Sequence, residues 1–562
     1  MRALRSGQNR WQHGSRDLGN TPLKSKIVFM KTNDSLLFLG FDSSTQGLKS
    51  TVIDADMTVV YDRSVNFDRD LPEFKTQDGA YHHADGVTVT APPLMWVSAL
   101  DLLLNKMKAD NCPFEKIVAI SGSGQQHGSV WLKKGARSIL RNLDAGKSIH
   151  EQMSEEFSVK ESPIWMDSST AKQCAQREKA LGGAQSVADI TGSRAYERFT
   201  GNQIAKIYQT QIENYKATER IALVSSFMAS LLIGDYAPID ASDGSGMNLM
   251  DVHSKNWNQP ALDCTAPDLS QKLGNIVASH SCVGNIHNFY VEKFGFSKEC
   301  AVIAFSGDNP NSLAGLRLQN IGDIAISLGT SDTLFGSLAN PMPSGSEGHV
   351  FVNPVDPNVY MVMLVRKNAS LTREYVRNKC ADGSWEKFNQ ALEQTPAGND
   401  GNIGFYVNEP EITPPISKTG IFRFNSNEEM TDSFPDAVDV RAVVEGQFLA
   451  LRIHAGNIGL KPVSILATGG ASANKSIIKI MSDVFGAPVY VGEQADSASL
   501  GAAYRALHGW NCAESEKKFV PFKEIISSAP AFKKAAEPDH NTHIIYTKML
   551  KQYEKLESSL SE

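Results

Sequence analysis

Phe305-Ser306-Gly307-Asp308-Asn309-Pro310-Asn311-Ser312-Leu313-Ala314-Gly315-Leu316 is the stretch around which this chain is organised. A short apolar strand over residues 302–305 runs into a carboxylate and then into a helix start. Asn309 suits the N-cap and Pro310 the first helical position. The partial positive charge at a helix N-terminus keeps a carboxylate ionised, and Gly307 lets other groups approach the backbone closely. Asp308 is therefore a candidate catalytic base. Taken alone, the segment also describes an aspartate that merely caps a helix. Stretches far away in sequence decide between the two, because they supply the parts a base would need.

The 562 residues, 41% apolar and 21% charged, suffice for about three or four domain units of ordinary globular composition. The net charge of -7 is spread along the chain, which argues against nucleic acid or an anionic membrane as the main partner. Cysteines at 112, 174, 264, 282, 300, 380 and 512 never reach CxxC spacing, so no zinc ribbon or redox pair is written here. Their odd number and wide gaps suit a reducing compartment. The most apolar run, 221–233, contains three serines and is too short to span a bilayer; it reads as a buried helix ended by Gly234. Residues 1–34 are basic, with Arg2, Arg5, Arg10, Arg16, Lys24 and Lys26. They read either as an organelle-targeting segment or as an extension without fixed structure.

Residues 36–41 form a buried strand, Asp42-Ser43-Ser44-Thr45-Gln46-Gly47 a turn, and 48–53 a second strand. The tip offers one carboxylate, three hydroxyls and a glycine, which is what a phosphate-cradling turn with a hydrated Mg²⁺ requires. An ordinary Ser/Thr-rich hairpin has the same pattern. Residues 324–328, Gly329-Thr330-Ser331-Asp332 and 333–335 repeat the design about 290 residues later, as two similar halves closing on one phosphate chain would. Two better-known phosphate motifs are excluded: Ala145-Gly146-Lys147-Ser148 lacks the first Walker glycine, and Gly122-Ser123-Gly124 has its third glycine one place too late for GxGxxG. Gln125-Gln126-His127 does stand at the carboxyl end of a strand, where open α/β sheets place ligand groups.

Further along, Trp165-Met166-Asp167-Ser168-Ser169-Thr170 and the segment Arg194 to Gly201 interleave aromatic and charged residues, as sugar pockets and plain surfaces both do. Residues 240–246 read as a flexible turn before a strand-like 247–250, and 395–437 as a long irregular excursion. Helix follows over 439–453. Residues 465–474 run strand, Gly-Gly turn and helix start, a place where a flat base can lie against bare backbone. Residues 495–503 are a small-residue helix suited to close packing on a sheet, and Ile545, Met549, Tyr553 and Leu556 form a packing stripe near the end.

Together, Gly40 to Gln46, Gly124 to Gly128, Ser306 to Asn309, Ser327 to Ser331 and Ala467 to Ala471 resemble the FGGY carbohydrate kinases in order and spacing, over residues 35–525. The Trp165 to Thr170 and Arg198 to Gly201 segments are similar to the eukaryotic branch acting on D-xylulose. The resemblance implies an α/β fold of two actin-like (ribonuclease H-like) ATPase domains with a cleft between them. It places a sugar-binding domain over 35–316, an ATP-binding domain over 317–525 and a helical tail over 526–562. It implies ATP-dependent phosphorylation of D-xylulose to the 5-phosphate, which feeds the pentose phosphate pathway, with Mg²⁺ as cofactor, no nucleic acid or membrane partner, and a cytoplasmic monomer or homodimer. By position, Asp308 would be the base; His127, Arg198, Asp308 and Asn309 would hold the sugar; Asp42 the metal; and Thr45, Gly329, Thr330, Ser331, Trp385, Gly470, Ala471 and Asn474 the nucleotide. Ribulose, glycerol or gluconate are the alternative substrates, and a non-catalytic actin-like sugar sensor is the alternative class.

Overall fold

The computed structural model describes residues 36–492, 496–516 and 518–561, so the basic extension 1–34 lies outside the described residues. Two seven-stranded sheets carry the architecture. The first starts from Leu37–Ser43, Gly47–Asp54 and Val59–Asn66, an antiparallel meander. Ile117–Gly124 then joins parallel to Leu37–Ser43, followed by Ala301–Ile303 and, along the same strand, Ser306–Gly307. Leu37, Phe38, Leu39 and Phe41 are all buried, as a near-continuous apolar run is when both faces of its sheet are covered. Leu39 and Phe41 pack into the core built with Trp96, Leu100 and Leu104 of helix Pro93–Ala109. Phe38 points the other way, towards Ala503 and Leu507.

The second sheet runs His349–Val352, Tyr360–Arg366, Asp332–Leu338, Asp323–Leu328, Ser464–Thr468, Val489–Val491, Lys533–Ala536. Helices Asp436–Asn457, Lys475–Phe485 and His540–Ser561 bury their apolar stripes in its core. Strand Lys533–Ala536 and helix His540–Ser561 thus belong to this lobe's body, although they fall in the stretch read from sequence as a tail.

Helix Ser497–Glu514 does the reverse. It follows the second sheet's strands in sequence yet packs on Leu37–Ser43 and Ile117–Gly124 of the first. Its small residues permit this. A Cβ on Gly501 would lie 1.8 Å from the Asn311 carbonyl oxygen, so helix Asp308–Gly315 crosses it at backbone contact.

Three local expectations change in the fold. The run 221–233 is not one helix: Thr218–Leu223 is a strand paired with Ser129–Lys133, and the helix is Val224–Ile233. Only the run's first three residues, Ile221 to Leu223, are strand, and the helix ends at Gly234 as expected. Of residues 247–250 only Met250 is strand, since a single 3₁₀ turn, Ser245–Met247, precedes the short strand Met250–Asp251. Residues 395–437 are not an irregular excursion. Ile403–Val407 and Gly420–Phe424 pair as a hairpin whose Phe405, Tyr406 and Phe424 are buried, and Arg423 pairs with Asp439 at 2.7 Å. Most of its Pro, Gly and Asn residues sit in the connections, with Gly404, Gly420 and Pro415 in strands. Among the described residues no helix is long and apolar enough to cross a membrane.

Candidate active site

The carboxyl ends of three neighbouring strands bring the first-lobe groups together. Asp42 lies opposite Ser123, and Ser123 opposite Ser306. Directly beyond these positions come the first tip, Gln125 to His127, and Asp308. Asp42 is 5% exposed and accepts a hydrogen bond from Ser123 Oγ at 2.6 Å; burial raises its carboxyl above the usual range.

Asp308 is the first residue of its helix, with Gly307 as N-cap. This corrects the expected Asn309 cap and shifts Pro310 from the first to the third helical position, where its missing N–H is still no loss. Asn309 stands inside the first turn and does not cap; its Nδ2 donates to Gln126 Oε1 at 2.8 Å and to Asp308 Oδ1 at 3.1 Å. The Asn309 backbone N–H reaches the same Oδ1 at 2.8 Å. Burial, and then the nearby Asp42 charge, push the Asp308 carboxyl up to about 7 against the lowering effect of backbone donors.

His127 is buried at a left-handed φ of 68°, a conformation uncommon outside glycine and worth noting at a binding loop. Burial, followed by the Arg198 cation, lowers its pKa to about 3, so the ring is neutral. Nδ1 lies 2.8 Å from the Gly246 carbonyl and must donate to it, which leaves Nε2 as an acceptor. The ring stacks on Phe199 at 4.4 Å. Arg198 lies over Tyr196 and Phe199 and donates from Nη2 to His349 Nε2 at 2.9 Å. His349 is held neutral by burial and by Arg198, and its Nδ1 faces Ser193 Oγ at 3.1 Å. Arg198 and His349 also wall a cavity of about 430 Å³ on the seam between the lobes.

Thr45, in the first tip, accepts a hydrogen bond from the half-exposed Trp165 indole at 2.8 Å. The Trp165 segment therefore meets the tip, and its Asp167 is turned inward to Val89, Ser169 and Gln203. In the second lobe Gly329, Thr330 and Ser331 form the turn between Asp323–Leu328 and Asp332–Leu338, with Thr330 exposed. Asp332 is locked by Arg373 in a bidentate pair at 2.7 and 3.0 Å, both side chains at 1% exposure or less. The two tips therefore differ: Asp42 has a free carboxylate edge and Asp332 has none.

Strand Ser464–Thr468 pairs in parallel with Asp323–Leu328, Ser327 opposite Thr468, so Gly470 and Ala471 emerge beside the second tip. Nothing lies within 4 Å of a Cβ built on Gly470, which leaves open space at that backbone. Asn474 caps helix Lys475–Phe485 and donates to Asn389 at 2.8 Å, tying this turn to helix Trp385–Gln394. Trp385 begins that helix, 37% exposed, with the Arg377 guanidinium 4.7 Å from its ring centroid.

The fold thus gathers Asp42, Thr45, His127, Arg198, Asp308 and Asn309 at one end of the first sheet, and Gly329, Thr330, Ser331, Trp385, Gly470, Ala471 and Asn474 at one end of the second. Sequence reasoning passed over Gln126 as a contact of Asn309, His349, and Asp243. Asp243 sits in the segment read as a flexible turn, which is a buried short helix, Ala241–Gly244, capped by Asp240. An Asp-x-x-Asp after an apolar residue is the capping signal that was available there. Nothing local marks His349.

Two α/β lobes, each with a polar-tipped hairpin, and a half-buried carboxylate at a helix start in the first are the parts of a sugar kinase of the actin-like type. Residues 154–315 match the N-terminal domain model of the FGGY family of carbohydrate kinases, and 324–510 match its C-terminal domain model. The chain belongs to the FGGY family of carbohydrate kinases. Within it, the chain is 53% identical to the xylulose kinase of Mus musculus over 93% of this chain and 94% of that one, and 50% identical to xylulose kinase 2 of Arabidopsis thaliana over 94% and 97%. Among solved structures, a ligand-bound xylulose kinase from Lactobacillus acidophilus superposes with a TM-score of 0.74 at 20% identity, covering 93% of this chain and 98% of that one. A gluconate kinase from the same organism gives 0.74 at 19%, covering 94% and 98%. The shared fold therefore does not choose the sugar.

Proposed function

We propose that the protein phosphorylates the terminal hydroxyl of D-xylulose with ATP, giving D-xylulose 5-phosphate. The observation that carries this reading is the setting of Asp308: one oxygen is held by the side chain and backbone of Asn309 and no side chain donates to the other, in a chain half identical over nearly its whole length to two xylulose kinases. Asp308 takes the hydroxyl proton as that oxygen attacks the γ-phosphorus. Because phosphoryl transfer has a loose transition state, holding the groups in line does most of the work. His127 Nε2 accepts from one sugar hydroxyl, Arg198 donates to another, Asn309 Oδ1 accepts from a third, and the aromatic floor of Tyr196 and Phe199 faces C–H groups.

Thr45, Gly329, Thr330 and Ser331 donate to phosphate oxygens. Gly470 offers open backbone to the base, with Ala471, Asn474 and Trp385 beside it. Among the described residues no three His, Cys, Asp or Glu side chains form a ready-made metal cage. None is needed for a magnesium ion held by phosphates, water and one carboxylate, and Asp42 is the carboxylate suited to it. Magnesium bound with the nucleotide would offset phosphate charge. Closure of the lobes excludes the water that would otherwise attack ATP.

The test is ADP release by purified protein with ATP and Mg²⁺, comparing D-xylulose, D-ribulose, glycerol and no sugar. Release with D-xylulose well above the rest is expected, and Asp308→Ala should abolish it while sparing ATP binding. A preference for another acceptor reassigns the substrate. No release with any acceptor points to the sensor class.

A further inference from the structure

The buried carboxylate of Asp243 has no part in the chemistry above. Its Oδ2 accepts from Ser225 Oγ at 2.5 Å, and its backbone N–H donates to Asp240 Oδ2 at 3.2 Å. Its Oδ1 is buried with no hydrogen-bond partner, at 2% exposure for the residue. Gln126 is in a matching position: Oε1 accepts from Asn309, while the buried Nε2 is unpaired. The two orphans flank one point. The place a Cβ would take on Gly307 lies 2.8 Å from Asp243 Oδ1 and 2.9 Å from Gln126 Cδ.

A glutamine amide has one accepting and one donating end, so its orientation is a two-way choice. Asn309 Nδ2 can only donate, and Gln126 must present Oε1 to it. The donating Nε2 is then turned to the other side, where Asp243 Oδ1 is the unpaired acceptor. The constraint passes on through Asn309, whose Nδ2 and backbone N–H both reach Asp308 Oδ1. Both Asn309 donors are thus on Oδ1, and no side chain donates to Oδ2, the oxygen turned to the substrate.

We propose that Asp243 is a positioning residue that, through Gln126 and Asn309, fixes which oxygen of Asp308 is free to take the hydroxyl proton. This rests on the reading of Asp308 as the base. Burial, with Asp240 and Asp308 adding their charges, pushes the Asp243 carboxyl up to about 8. At neutral pH it is therefore mostly uncharged: protonated on Oδ2, it donates to Ser225 Oγ, which turns from donor to acceptor, and keeps a carbonyl-like Oδ1 for Gln126. An asparagine reproduces both contacts; a leucine reproduces neither.

The experiment is a steady-state series with D-xylulose and ATP: Asp243→Asn, Asp243→Leu, Gln126→Leu and the Asp243→Leu/Gln126→Leu double variant, with Asp308→Ala alongside. Asp243→Leu should lose about 10- to 100-fold in kcat with KM for ATP unchanged, and Asp243→Asn should stay within about threefold of the parent. The double variant should be no slower than Gln126→Leu alone, because a broken relay cannot be broken twice. Where Asp243→Leu does not fold, Asp243→Ala takes its place. Parental kcat in both the leucine and alanine variants, losses that multiply in the double variant, or an asparagine variant as slow as the leucine one would each overturn the proposal. Turnover retained by Asp308→Ala would instead remove the base itself, a separate result from the Asp243 series.

Discussion

Asp308 sits where its ionised form costs the protein stability. Its carboxyl is raised to about 7 by burial and Asp42, whereas in the unfolded chain it titrates near 3.8. Folding therefore favours the protonated form, and that contribution is lost as pH rises from about 4 through 7. Asp308→Asn removes the penalty. Its thermal stability relative to the parent, measured without ligands, should rise between pH 5.5 and 8 by on the order of 1 kcal/mol, a figure discounted because the carboxyl faces the cleft. A stability difference independent of pH would show that the carboxyl is not strained by its site. The same residue shows how far sequence reaches. Asp308 stands out because a strand end, a carboxylate and a helix start are adjacent in the chain. Its partners Gln126 and Asn309 are legible only as polar neighbours, since which amide faces which is decided by packing around Gly307.

At the scale of elements, two helices have roles that local pattern does not announce. Helix Ser497–Glu514 holds helix Asp308–Gly315 at backbone contact, so Gly501→Ala forces its methyl against the Asn311 carbonyl and moves the base. Overpacking of this kind costs about 1–3 kcal/mol. A lower melting temperature and a lower kcat should appear together, and an unchanged kcat would mean that the crossing does not set the position of Asp308.

Helix His540–Ser561 is pinned through Glu557, which shares His454 with Glu347 and also pairs with Arg366 at 3.3 Å. Burial alone would lower the His454 pKa, but the two glutamates outweigh it and hold it at about 9. A raised histidine stabilises fully below its unfolded value near 6.5, and that stability is lost as pH rises through 9. The parent should lose on the order of 2–3 kcal/mol over this window that His454→Gln does not. Parallel pH profiles would refute the pairing. The helix itself was visible as a stripe of Met549, Tyr553 and Leu556, but Ile545 is 42% exposed and Tyr546 takes its place in the core. A one-residue offset of this kind is set by the surface the helix meets.

Across the whole molecule the lobes are joined by the edge strand His349–Val352. Val350 N–H donates to Gly192 O at 2.9 Å, Ser242 Oγ to Val352 O at 2.7 Å, and Ser245 Oγ receives Val352 N–H at 3.0 Å. The helix carrying Asp243 is therefore tied to the second sheet, and His349 reaches from that sheet to Arg198. Replacing His349 by phenylalanine leaves the Arg198 guanidinium without this acceptor. KM for D-xylulose should rise about tenfold with little change in KM for ATP. An equal rise in both would place His349 in general lobe packing instead.

What the sequence determined by itself was whatever adjacent residues encode: two hairpins with polar tips, the strand and helix start around Asp308, the small-residue helix, and through their order the FGGY resemblance. Tertiary structure decided what depends on partners far along the chain. It sent helix Ser497–Glu514 back to the first sheet, built a buried hairpin from 395–437, and spent Asp332 on Arg373 while leaving Asp42 free. It also buried Asp243 beside Gln126 and brought His349 to Arg198. The reason is physical: periodicity and turn chemistry act over a few residues, whereas burial, pairing of charges and the orientation of amides are fixed only when distant segments close on one another.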